Sequence, residues 1–146
     1  MIKPMATNRH SSCFSPALSA ALLTLLFIIV GVPASRAQAS LDFLEGASIV
    51  ADDGQFLGIV SQNSLNADSI SNDLGKYGSS LSSTSIFNTI SKYGSELSPL
   101  SPFNNLTTTP PKIRTKDNRW AYLTTNETLT PRLSPYTVIG WAKRGR

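Results

Sequence analysis

The chain has 146 residues with 13 Lys and Arg against 9 Asp and Glu, a formal net charge of +4. Its one histidine, His10, and its one cysteine, Cys13, both lie near the N-terminus. Everything beyond them therefore lacks a disulfide framework, an imidazole for a Ser-His or Cys-His pair, and a His or Cys ligand for a metal.

Residues 1–39 read as a secretory signal peptide. Lys3 and Arg9 give the basic start, Ala17 to Val32 is an uncharged apolar run ending at Pro33, and Ala37-Gln38-Ala39 supplies the small-x-small cleavage site. Cleavage after Ala39 makes Ser40 the new N-terminus of one small exported domain, residues 40–146, destined for the periplasm or for secretion. The competing reading is a retained anchor, because the apolar run approaches the roughly 17 to 20 residues that cross a bilayer. Gly31 and Pro33 just before a good cleavage site favour removal, so membrane contact is expected only through an uncleaved signal. From residue 40 onward ten Lys and Arg face nine acidic residues. That near-neutral balance argues against nucleic acid, whose recognition needs a basic face to displace counterions.

The first element expected is a β-hairpin. Ser48-Ile49-Val50 precedes Asp53-Gly54, and Phe56-Leu57-Gly58-Ile59-Val60 follows, which is strand, tight turn, strand. Next comes a repeat region over 61–109. Ser69-Ile70-Ser71-Asn72-Asp73-Leu74-Gly75-Lys76-Tyr77-Gly78-Ser79-Ser80-Leu81 recurs sixteen residues later as Ser85-Ile86-Phe87-Asn88-Thr89-Ile90-Ser91-Lys92-Tyr93-Gly94-Ser95-Glu96-Leu97, and a truncated copy begins at Ser101. About half of 61–109 is Ser, Thr or Asn, residues that bond their own backbone and favour turns over helix. Each unit is expected to be coil and turn, with Ile, Leu and Tyr inward and Asn72, Asn88 and Asn104 forming turns. Ile70 with Leu74, and Ile86 with Ile90, are the expected neighbours of Tyr77 and Tyr93, which should occupy equivalent places.

Pro110-Pro111 closes the repeat, and Lys112-Ile113-Arg114-Thr115, Asp117-Asn118 and Trp120-Ala121-Tyr122-Leu123 give a second hairpin resembling the first. Ser134-Pro135 then reads as N-cap and first helical position, with Val138, Ile139, Trp141 and Ala142 on one apolar face. A terminal strand competes, because Thr137-Val138-Ile139 is β-branched and Gly140 weakens a helix. The fold class expected is mainly β and irregular: two β-hairpins flanking a 16-residue coil-and-turn repeat, with a short C-terminal helix.

Taken in order, the Asp-Gly-x-Phe-Leu-Gly hairpin, the Ser-Ile-x-Asn and Lys-Tyr-Gly-Ser repeats, Pro-Pro, and the closing Tyr-Leu-Thr-x-Asn, Pro-Arg and Trp resemble a group of short exported bacterial proteins. The resemblance covers Asp53 to Lys143. It implies export and a bacterial source, and since the group has no assigned activity it carries over no functional residue. Asp117-Asn118-Arg119 departs from the group, which more often has a glycine in that turn.

No lysine has a serine three residues before it, and neither the phosphate-cradling Gly-x-x-x-x-Gly-Lys nor Gly-x-Gly-x-x-Gly occurs. No catalytic, cofactor or metal site is expected. Asp52 and Asp53 read as turn residues before catalytic ones. Asp68, Ser71, Asn72 and Asp73 offer oxygens to calcium but lack the spacing and closing glutamate of a calcium loop. Lys112, Arg114, Lys116 and Arg119 read as a solvated hairpin face before a surface for an acidic partner. Tyr77, Tyr93, Trp120 and Trp141 read as core before a platform for sugar or peptide. The function expected is a non-enzymatic structural or interaction module whose partner, protein or glycan, is unknown. The alternative is an enzyme or accessory subunit acting on polysaccharide through Asp52, Asp53, Asp68 or Asp73, which requires those carboxylates to converge.

Overall fold

The computed structural model describes residues 41–145, so the cleavage site expected at Ala37 and Ala39 lies outside the described residues. Strands β1 (Ala47–Val50) and β2 (Phe56–Val60) pair antiparallel. Between them Ala51 N donates to Gln55 O (2.8 Å) and Gly54 N to Ala51 O (2.9 Å), with Gly54 at φ +83°. A three-residue loop ending in a left-handed residue matches the twist of the flanking strands. The second hairpin, β3 (Lys112–Arg114) and β4 (Trp120–Leu123), repeats this loop: Thr115 N donates to Arg119 O (2.8 Å), Asn118 N to Thr115 O (3.0 Å), and Asn118 has φ +64°. Asparagine tolerates that region better than most side chains. The expected resemblance between the hairpins thus extends to their hydrogen bonds.

The hairpins join through β1 and β3, also antiparallel, and with a last short strand, β5 (Arg132–Leu133), the sheet runs β2-β1-β3-β4-β5. The sequence reading missed β5, which pairs parallel with β4. Ala47, Ile49, Ile113 and Leu123 are buried on the inner face, and Lys112 and Arg114 flank Ile113 on the outer one, the period-2 pattern of a half-covered sheet. Opposite Ile49 and Val50, β2 carries one extra residue, Leu57, whose bulge leaves it fully buried.

The repeat is an ordered spiral of turns. A backbone N–H bonds the carbonyl three residues back at Asn66, Ser69, Asn72 and Gly75, then four back at Ser79, and the series restarts at Ser82, Ser85, Asn88 and Ser91 with the four-residue step at Ser95 (2.9–3.4 Å). Four steps of three and one of four make the sixteen-residue unit. Side chains lock the steps: Asn72, Asn88 and Asn104 each accept the N–H two residues on and donate to the carbonyl six residues back. The turn-forming role expected of them is what the structure shows.

Each unit makes two coils of eight residues. Ser69 and Ser85 hydroxyls donate to the carbonyls of Ser61 and Tyr77, eight back (both 3.0 Å), and buried positions recur as Ile70, Tyr77, Ile86, Tyr93 and Pro102. Ile70, Tyr77, Ile86 and Tyr93 meet Ile49, Leu57, Val60, Ile113 and Leu123 in a single core. The first coil also covers the edge of β2, where Ile59 N donates to Asp68 O (2.8 Å) and Ile70 N to Ile59 O (2.9 Å). The outward N–H and C=O of Ile59 on this sheet edge are thereby satisfied. The C-terminal helix α1 (Pro135–Ala142) starts at the expected Ser134-Pro135 and buries Val138, Trp141 and Ala142. Ser134 makes no side-chain capping bond, so proline geometry and core packing set that start.

Three expectations are corrected. Leu74 and Ile90 are almost fully exposed: with eight residues per coil they stand half a coil from Ile70 and Ile86, on the opposite side. Tyr77 and Tyr93 are both buried, but Tyr77 packs edge-on against Phe56 (5.1 Å) whereas the Tyr93 hydroxyl donates to Asp53 Oδ2 (3.0 Å), so their environments differ. Trp120 is 49 % exposed on the outer sheet face, while Trp141 is core.

Candidate functional site

Half a coil from each inward residue stands an aliphatic one. Leu65, Leu74, Leu81, Ile90, Leu97 and Leu106 are each 83–97 % exposed. Successive members are nine, seven, nine, seven and nine residues apart, one per coil, and because coils stack they form a ridge along the outer edge of the spiral. Single exposed leucines are ordinary, but six at the same place in successive coils are not.

The backbone under the ridge is fixed by the sequence itself. Every ridge residue is third in an Asn/Ser-x-Leu/Ile triplet, and its N–H donates to the side chain of Asn63, Asn72, Ser79, Asn88, Ser95 or Asn104 (2.9–3.3 Å). The triplet alone does not mark the ridge, because Ser98-Pro99-Leu100 makes the same bond (3.3 Å) while Leu100 packs against the core; the signal is the triplet together with its place half a coil from Ile70, Tyr77, Ile86, Tyr93 and Pro102. Sequence reasoning missed it by assuming that every aliphatic residue of the repeat faces inward.

At its last coils the ridge meets α1. Glu96, Leu97, Phe103 and Tyr136 line an open cavity of about 460 Å³ together with Phe87, and a neighbouring one of about 810 Å³ shares those four and adds Asn105, Thr125 and Glu127. Phe103 and Tyr136 lie 5.6 Å apart, and Thr125 Oγ1 is buried in the second cavity without a hydrogen-bond partner.

Of the four carboxylates considered for catalysis, three bond to different elements. Asp52 pairs with Lys112 of β3 (3.0 Å), Asp53 with Lys92 of the spiral (2.9 Å), and Asp73 with Lys143 beyond α1 (3.1 Å). Asp68 is exposed at the β2 edge. The Lys92 ammonium holds the Asp53 carboxyl below its usual 3.8 against the opposing effect of burial, and Gln55 N–H and the Tyr93 hydroxyl add to that. Lys92 in turn is raised, by Tyr93 and then Asp53. The Thr115 hydroxyl, followed by Arg119, lowers Asp117.

The oxygen set considered for calcium is likewise dispersed. Asn72 is bonded within its turn, the Ser71 hydroxyl bonds that of Ser69, and Asp73 pairs with Lys143. Among the described residues no three His, Cys, Asp or Glu side chains group closely enough to hold a metal, and no helix is long and apolar enough to cross a membrane. Lys112 and Arg114 do lie together with Trp120, Tyr122 and Val50 around a cavity of about 440 Å³ on the outer sheet face, whereas Lys116 and Arg119 stand in or beside the second hairpin's turn. Compared with protein-family models, curated proteins and solved structures, the chain matches none of them.

Proposed function

We propose that this protein is an exported bacterial interaction module without catalytic activity, and that the spiral is its presenting surface. The observation that carries this reading is the ridge: six aliphatic side chains, 83–97 % exposed, one per coil, each on a backbone tied by a hydrogen bond to the Asn or Ser two residues before it. Folding alone gives no reason to keep leucine at such positions, since a serine-rich coil is more soluble without it. The polysaccharide-acting alternative gains no support from geometry, because Asp52, Asp53 and Asp73 bind three cations on three different elements.

Site-specific photocrosslinking in the exporting cell tests the reading. A crosslinking phenylalanine analogue placed at Leu81 or Leu97 should give adducts of defined mass, and the same group at the exposed hairpin residue Lys116 should give none. Ridge positions that yield no adduct would refute the proposal.

A further inference from the structure

The ridge has a symmetry that a second copy of the chain can match. Its spacing, nine, seven, nine, seven, nine, reads the same in both directions. A second ridge laid antiparallel on the first therefore sets Leu65 opposite Leu106, Leu74 opposite Leu97, and Leu81 opposite Ile90, every aliphatic residue meeting another. That is the condition for an isologous two-fold contact, in which residue i touches j and j touches i.

Area agrees with a dimer. Full burial of an aliphatic side chain removes about 100 Å² of apolar surface from water, so six remove about 600 Å² per copy. Phe103 and Tyr136, continuous with Leu97 around one cavity, extend this toward the roughly 800 Å² per partner of a standard interface. The charges beside the ridge point away from a lipid occupant. A membrane-seated surface is rich in Lys and Arg, whereas the only charged residues next in the chain to a ridge member are the acidic Asp73 and Glu96, and Lys76 and Lys92 lie instead against the inward rings of Tyr77 and Tyr93. Resting on the reading of the spiral as a presenting surface, we infer that the ridge binds a second copy of this chain, antiparallel, about a two-fold axis between Leu81 and Ile90.

Sedimentation equilibrium of the exported protein should show a dimer, and Leu81→Gln with Ile90→Gln should weaken it by more than about tenfold while leaving the melting temperature of the monomer unchanged. Because residues 40–146 contain no cysteine, single Leu81→Cys and Ile90→Cys proteins give a second measurement. Mixed and oxidised, they should form a disulfide-linked heterodimer faster than either forms a homodimer. A wild-type monomer at tens of micromolar, or a dimer insensitive to the double variant, overturns the inference. Ridge-dependent binding to phosphatidylcholine vesicles by a monomer also overturns it in favour of lipid. Photocrosslinked adducts at Leu81 to a different protein would leave the presenting-surface reading standing and sink self-association alone.

Discussion

Gly54 and Asn118 occupy the same place in the two hairpin loops, and the comparison isolates what backbone conformation costs there. Both are left-handed, at φ +83° and +64°, and the site at Gly54 is open, with no atom within 4 Å of where a Cβ would stand. Substitution there tests conformation without a clash. Gly54→Asn should change stability little, because the second hairpin already uses asparagine in this position, whereas Gly54→Val should cost at least about 1 kcal/mol, since a β-branched side chain is poorly accommodated at positive φ. Thermal melts of the two variants check this, and an unchanged midpoint for Gly54→Val would contradict the assigned turn. Gly94 presents the opposite case: its Cβ would lie 2.2 Å from the Asn88 carbonyl oxygen. That glycine is required by the close approach of successive coils.

At the scale of the element, the spiral stands on side chain-to-backbone hydrogen bonds in place of a strand ladder. Asn88 is buried and serves two carbonyl and amide groups, accepting from Ile90 N (3.1 Å) and donating to Ser82 O (3.1 Å). Asn88→Ala should cost about 1 kcal/mol because it removes two partly buried side chain-to-backbone hydrogen bonds, while Thr89→Ala beside it, exposed, should stay within about 0.5 kcal/mol. Urea titration with an unchanged slope would assign the difference to native stability. A sharper contrast separates the two edges of the spiral. Ile86→Ala empties a core position and should cost about 2 to 5 kcal/mol, whereas Leu81→Gln on the ridge should be nearly neutral in the monomer. The sequence made part of this element legible. Asp53-Gly54 and Asp117-Asn118 signal their loops locally, and the sixteen-residue period is visible from Tyr77 and Tyr93. The winding of each unit into two coils was harder to see, because Asn and Ser alternate as turn formers and Gly75 interrupts their three-residue rhythm. Strand β5 was not legible at all: two residues carry no periodicity, and Arg132-Leu133 becomes a strand only beside Tyr122 and Leu123. The ridge was misread for a related reason, since hydrophobicity alone does not say which side of a coil faces the sheet.

Across the whole molecule, the sheet, the spiral and α1 share one core and are tied at the surface by charge. Asp53 is the main junction, a residue of the first hairpin loop that accepts from both Lys92 and Tyr93 of the second repeat unit. Its folded pKa is depressed, so the junction stabilises the native state above the ordinary carboxylate range, and that contribution disappears as pH falls through the lowered value. The wild type should therefore be more stable than Asp53→Asn at pH 7, with the gap narrowing as pH falls through the ordinary carboxylate range and closing once it is below the lowered folded value. Tyr93→Phe should remove one hydrogen bond, reduce the gap at pH 7 and leave the acid limb in place, because Lys92 remains as the largest cause of the shift. Melting temperatures of the three proteins from pH 2 to 7 check the sign. A gap between wild type and Asp53→Asn that is constant with pH would mean that the carboxylate's charge contributes nothing to joining the hairpin to the spiral.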